Sequence, residues 1–197
     1  MRVIGGRHRG LMLASLGAGD AGARLRPTSD RVRESLFNLL VHGDYGSPPP
    51  PEGRRVLDLF AGTGALGLEA LSRGAGHVTF VDSGPKALAL LRRNIGLMAA
   101  EDAARVISRD ATRLGRNHGP AADLVFLDPP YARGLGERAN ASALAGGWIG
   151  PGALVVWEEG DNPVPPPGLT LLDQRRYGDT MIAIFRSSVP LPAFEAS

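Results

Sequence analysis

The chain has 197 residues, 43% apolar and 21% charged, which suits one globular domain with its own core, or one domain with a small appendage. It contains no cysteine, so disulfides, zinc–thiolate sites, iron–sulfur clusters and cysteine nucleophiles are excluded. The net charge is +2, but residues 1–33 hold seven arginines against Asp20 and Asp30, a balance of +5, and the remainder carries −3.

A basic arm on a slightly acidic body points to a polyanionic partner. Lys86 is the only lysine among 22 basic residues, so the clustering of the arginines is more informative than their number. No apolar run approaches the ~18 residues of a membrane span. The start, Met-Arg-Val-Ile-Gly-Gly-Arg-His-Arg, lacks a signal-peptide core. A cytoplasmic protein is expected.

In chain order, Arg2–Ile4 and Arg9–Leu13 are short β-like runs around Gly5-Gly6, followed by a Gly/Ala-rich loop over 15–23. Arg26-Pro27-Thr28-Ser29-Asp30 opens a helix, with Thr28 or Ser29 as cap and Asp30 at its positive end. Val32, Leu36, Leu39 and Leu40 follow at helical spacing up to Gly43. The Pro-rich stretch 46–53 reads as a stiff linker, separating an extension over 1–45 from a main domain over 54–187, with a tail over 188–197.

The main domain alternates. Strands are expected at Val56–Phe60, His77–Val81, Arg105–Ser108, Leu124–Leu127 and Ala153–Trp157. Helices are expected at Ala65–Arg73, Pro85–Leu97 and Glu137–Ala145, with a short helical segment after Asp110. This is the pattern of an α/β, Rossmann-like parallel sheet with helices on both faces. Leu169–Tyr177 and Thr180–Arg186, joined through Gly178-Asp179, form an antiparallel hairpin that closes the sheet.

Four motifs carry chemistry. Val56-Leu-Asp58-Leu-Phe60-Ala61-Gly62-Thr-Gly64-Ala-Leu-Gly67 is a G-x-G-x-x-G between strand and helix. Its glycines let a ligand approach the backbone and let the helix sit close to the strand. Asp58, four residues before Gly62, would repel a pyrophosphate but suits a cationic ammonium or sulfonium, favouring S-adenosylmethionine over NAD. Asp82 lies 20 residues after Gly62, the spacing of a carboxylate that accepts ribose hydroxyls; a helix cap is the plainer reading. Asp110-Ala111 follows a strand and offers an acceptor for an adenine amine, though Asp is a common cap. Asp128-Pro129-Pro130-Tyr131 ends an apolar strand. Asp128 and the Pro129 carbonyl can accept the two hydrogens of an exocyclic amine, the prolines fix the loop, and the Tyr131 ring can stack on a flipped base. On this reading only the ring face of Tyr131 matters and its hydroxyl is dispensable. His8, His42, His77 and His118 lack metal-ligand spacing, and Trp148 and Trp157 read as core.

Together these residues resemble class I, seven-stranded S-adenosylmethionine-dependent amino-methyltransferases. More narrowly, Arg2-Val-Ile-Gly-Gly, Leu25–Glu34, Leu57–Ala75 and Asp128–Tyr131 resemble the bacterial 16S rRNA guanine-N2 methyltransferase family called RsmD, from Arg2 to about Arg186. The resemblance implies a mostly parallel sheet with an antiparallel last strand and a short N-terminal extension. It implies S-adenosylmethionine bound by Asp58, Phe60, Ala61, Gly62, Gly64, Asp82, Asp110 and Ala111, and a target base held by Asp128, Pro129, Pro130 and Tyr131. The implied partner is 16S rRNA within a small-subunit assembly particle, met by a monomer with no metal and no membrane. Arg7, Arg9, Arg26, Arg31 and Arg33 are the candidates for RNA contact; of Arg31 and Arg33, two residues apart on one helix, one is expected to face RNA and the other to pair with an acid. A DNA or RNA adenine-N6 methyltransferase using the same Asp-Pro-Pro-Tyr site is the alternative. A nicotinamide oxidoreductase leaves Asp58 and Asp128–Tyr131 unexplained, and the intact motifs argue against a non-enzymatic RNA-binding relic.

Overall fold

The computed structural model describes residues 1–15, 29–131 and 134–190. Arg24, Arg26, Thr28, most of the Gly/Ala loop and the end of the tail lie outside them. Helix α1 is Asp30–His42. Ser29 caps it, its Oγ accepting from the Val32 amide at 3.2 Å, a bond that contributes about 1 kcal/mol. Gly43 ends it through an N–H to the Leu39 carbonyl.

The remaining elements alternate as the sequence predicts: β1 (Arg55–Leu59), α2 (Ala65–Ser72), β2 (His77–Asp82), α3 (Pro85–Leu97), β3 (Ala104–Ser108), β4 (Ala122–Leu127), α4 (Leu135–Ala145), β5 (Ile149–Glu159), β6 (Leu169–Tyr177) and β7 (Thr180–Ser187). A single 3-10 turn, Ala111–Arg113, stands where the short helical segment after Asp110 is expected. β5 starts four residues before its predicted strand, because a register shift between Ala122 and Leu124 accommodates Pro151 and Gly152 and lets the ladder resume at Leu154.

The strands form one seven-stranded sheet in the order β3-β2-β1-β4-β5-β7-β6. β1 to β5 are parallel, and β7 runs antiparallel to β5 and to β6. Successive residues of each central strand enter opposite layers. Val56, Phe80, Phe126, Val156 and Ile184 meet α1, α2 and α3 on one face; Leu57, Val125, Leu127, Trp157 and Phe185 meet α4 and the Ala111 turn on the other. Trp148 and Trp157 belong to this second layer, as their sequence setting suggests.

The extension packs into the first layer. An antiparallel bridge joins Arg2 to Met12, and Val3 and Leu13 share the core with Leu36, Phe37, Leu40 and Phe80. The Pro-rich segment packs as well: Pro50 and Pro51 are buried, and Gly53 donates to the Gly74 carbonyl at 2.9 Å.

Candidate active site at the carboxyl edge of the sheet

The strand order reverses between β1 and β4, and an open parallel sheet binds ligands at such a switch point, beyond the carboxyl ends of its strands. Leu59 of β1 pairs with Leu127 of β4, so the glycine loop and the Asp128 loop leave the sheet side by side.

The glycine loop turns sharply. Phe60, Gly62 and Gly64 have φ of 60°, 57° and 87°, left-handed backbone that favours glycine at the last two positions. A Cβ on Gly67 would meet the Phe80 ring at 2.3 Å and Asp58 Oδ2 at 2.9 Å, so this glycine is what lets α2 lie against the sheet. Asp82 ties the loop to β2: its Oδ2 accepts from the Gly62 amide at 2.8 Å and its Oδ1 from Gly84 at 2.7 Å. Carboxylate oxygens carry further lone pairs, so these bonds leave acceptor capacity for a ligand.

Asp58 sits deeper than its sequence position suggests. It is 2% exposed, in register between Phe80 of β2 and Phe126 of β4, and its Oδ2 accepts from the Gly67 amide at 2.9 Å. Desolvation among these rings pushes its carboxyl up to about 7, the Gly67 amide working against the shift and the Asp82 charge with it. Asp110 is the cap of the turn after β3; its Oδ1 accepts the Thr112 amide and hydroxyl, both at 2.8 Å, which holds its carboxyl below the usual range. It remains exposed at the edge, while Ala61 and Ala111 are buried.

In the loop after β4, Asp128 is half-buried, Pro129 buried, Pro130 exposed and Tyr131 half-buried. The Tyr131 hydroxyl donates to Glu158 Oε1 at 3.0 Å and lies 3.3 Å from Thr180 Oγ1. A Cβ on Gly160 would meet the ring at 2.9 Å, so that glycine makes room for it. Burial, opposed by the Thr180 bond, raises the phenol above its ordinary value. The expectation that the hydroxyl is idle is therefore corrected: it anchors the ring to Glu158, which is 6% exposed.

The arm divides by burial. Arg7, Arg9 and Arg31 are exposed, and Arg26 lies outside the described residues. Arg33 is 1% exposed and cannot offer a surface to phosphate; its Nη2 donates to Asp30 at 2.9 Å and to the Arg2 carbonyl, and its Nε lies 3.7 Å from Glu69. Of the Arg31–Arg33 pair, Arg33 is thus the one that pairs with acids, and it is no longer a candidate for RNA contact.

A family model described as conserved hypothetical protein 95 matches residues 1–186. The chain is 39% identical over 189 residues to the Escherichia coli K12 protein named ribosomal RNA small subunit methyltransferase D, covering 94% of this chain and 89% of that one. It is 36% identical over 193 residues to the Haemophilus influenzae protein of the same name, covering 95% and 94%. The chain belongs to the RsmD family. The solved structure of Escherichia coli yhhF superposes on this RsmD chain with a TM-score of 0.79 at 34% identity, covering 96% of this chain and 99% of that one. The class I methyltransferase sheet implied by the resemblance is the sheet observed.

Beside the motif residues, this RsmD chain relies on side chains that the motifs do not flag. Glu69 of α2 is 1% exposed; it accepts the Ile4 and Gly5 amides at 2.8 Å each and pairs with Arg73 at 2.7 Å. Ser72 accepts the His8 amide at 2.9 Å and donates to the Gly5 carbonyl at 2.6 Å. Both fasten the arm to the helix that the glycine loop begins. The only signal in the sequence is a lone acid in an otherwise apolar helix, Ala65-Leu-Gly-Leu-Glu-Ala-Leu-Ser72.

Proposed function

We propose that the chain transfers a methyl group from S-adenosylmethionine to the exocyclic N2 amine of a guanine in the 16S rRNA of the small ribosomal subunit, as a cytoplasmic enzyme acting on an assembly particle. The observation that carries this is the Asp128-Pro-Pro-Tyr131 loop emerging beside the glycine loop at the switch point. The names of the Escherichia coli and Haemophilus influenzae relatives support rRNA of the small subunit as the substrate.

The edge fits the cofactor. Asp82 ends β2 and Asp110 follows the neighbouring β3, with acceptor oxygens suited to ribose hydroxyls and an amino group. Gly62 and Gly64 take the left-handed turn that brings the loop backbone to the edge. Asp58 lies beneath the loop on the Gly67 amide, so it acts on the cofactor through the loop that it holds rather than by direct contact.

When bound, the cofactor supplies an electrophilic methyl on a sulfonium. The lone pair of a base amine is delocalised into its ring, which makes the amine a poor nucleophile. Asp128 and the Pro129 carbonyl accept its two hydrogens and draw the nitrogen towards tetrahedral geometry, which is positioning combined with electrostatic preorganisation. The ring of Tyr131, held by Glu158 and Thr180, supplies the stacking face. Asp128 or water takes the departing proton.

Single-turnover methylation of unmodified small subunits at saturating cofactor tests the reading. Asp128→Ala keeps the fold and the cofactor affinity and slows transfer by about 10²–10⁴-fold, the loss of one positioned group. A wild-type rate in that variant overturns the role of Asp128.

A further inference from the structure

Asn94, in the last turn of α3, is fully buried. Its Nδ2 donates to the Thr63 carbonyl at 2.9 Å and to the Ala14 carbonyl at 3.0 Å, and its Oδ1 accepts the Ala14 amide at 2.7 Å. Both donors and the carbonyl of the side chain are therefore engaged. Thr63 is the residue between the two left-handed glycines of the loop. Ala14 follows directly on the folded arm, whose Val3 and Leu13 are in the core. No other motif residue explains this asparagine.

Further bonds close the same circuit. The Thr63 hydroxyl donates to Met1 Sδ at 3.7 Å. A Cβ on Gly64 would meet Leu91 Cδ1 at 2.6 Å, so α3 touches the loop one turn before Asn94 as well. At its other end the arm is fastened to α2 by Glu69 and Ser72, with exposed Arg7 within that attachment and exposed Arg9 between it and Ala14. The arm and the glycine loop thus form one hydrogen-bonded unit joined at Asn94.

We propose that Asn94 is a positioning residue that couples the two ligands: RNA held by the arm orders the glycine loop through Ala14, Asn94 and Thr63, and so tightens cofactor binding. The coupling rests on the functional reading above, in which the loop meets S-adenosylmethionine, and on the expectation that Arg7 and Arg9 of the arm contact RNA. RNA stabilises the docked arm, the docked arm holds the Thr63 carbonyl, and a cofactor entering an already ordered loop loses less conformational freedom. By linkage, the cofactor strengthens RNA binding by the same factor.

The test is equilibrium dialysis of labelled S-adenosylhomocysteine against the full chain, with and without saturating small subunits that lack the modification. Wild type binds the probe about five- to twentyfold tighter with subunits present, within the usual range of coupling between sites. Asn94→Ala, and the milder Asn94→Ser, bring that ratio to within twofold of one while each ligand still binds on its own. A purely structural asparagine would lower stability and leave the ratio unchanged, and an unchanged ratio in a folded variant overturns the proposal. Independent binding of both ligands to wild type overturns it too, while leaving the functional reading intact. Failure of the chain to bind either ligand overturns that reading and the coupling with it. Should both variants fail to fold, hydrogen exchange on wild type decides: the Thr63 and Gly64 amides exchange more slowly when subunits alone are added, and unchanged exchange overturns the coupling.

Discussion

Asp58 on β1 caps the helix that follows the glycine loop: its Oδ2 accepts from the Gly67 amide at 2.9 Å, across the interface between sheet and helix. The helix needs this. Its N-cap is Gly64, which has no side chain to satisfy the first-turn amides, and the carboxylate beneath supplies the missing acceptor. The acidic position of the motif is thus built into the loop's own architecture before any ligand arrives.

The burial of Asp58 makes stability depend on pH. Its carboxyl titrates at about 7 in the fold, against an ordinary 3.8. Between those values the folded chain holds a proton that the unfolded chain has lost, so stability falls as pH rises through this window and levels off above 7. One such group gives a slope of up to about 1.4 kcal/mol per pH unit. Asp58→Asn keeps an oxygen for Gly67 and has no charge to desolvate, so urea denaturation at pH 5, 6, 7 and 8 shows a flatter profile than wild type. Parallel profiles would remove Asp58 as the titrating group.

Tyr131→Phe is expected to be costly. It takes a donor from the buried Glu158, a loss on the order of 1–3 kcal/mol in stability. The ring stays, so kcat/KM falls less than tenfold. Tyr131→Ala removes the stacking face and weakens substrate engagement by about 1–3 kcal/mol, the scale of one base–aromatic stack. Thermal melts and steady-state kinetics on both variants separate the two effects; identical kinetics for Phe and Ala would show that the ring holds no base.

The arginines of the arm separate in the same way. Reversing exposed Arg7 and Arg9 to Glu leaves cofactor binding intact and makes the slope of log affinity for RNA against log salt shallower, by about 0.7–0.9 for each phosphate that is no longer neutralised. Arg33→Ala instead removes the buried donor to Asp30 and to the Arg2 carbonyl, while Glu69 keeps Arg73, and destabilises the fold by about 1–3 kcal/mol. Filter binding over a salt series and denaturation curves read the two outcomes; equal slopes for wild type and the Arg7/Arg9 variant would show that neither touches phosphate.

The sequence makes the scaffold legible where one physical signal dominates. Pro85, fixed in the first turn, and Leu97 bound α3 at the predicted residues, and the Gly178-Asp179 turn sets the hairpin as read. Continuous apolar strands give the parallel sheet, because both of its faces are covered. Three-dimensional pairing is less visible. Arg33 looks like any arm arginine until the fold brings Glu69, distant in sequence, against it. Asp58 reads as an edge residue, since nothing local shows that it lies in a row with Phe80 and Phe126. The hydroxyl of Tyr131 finds Glu158 and Thr180 only because β5 and β7 are neighbours in the sheet. Proline content suggests a stiff linker over 46–53, but burial of Pro50 and Pro51 is a tertiary outcome.

The central claim is methyl transfer to a guanine amine in small-subunit rRNA, and nucleoside analysis tests it directly. Purified protein is incubated with isotopically labelled S-adenosylmethionine and small subunits that lack the modification; the 16S rRNA is then digested and its nucleosides separated by mass. Label in N2-methylguanosine, absent with Asp128→Ala, is the predicted result. Label in N6-methyladenosine, or no transfer to rRNA by protein that binds the cofactor, would contradict the account.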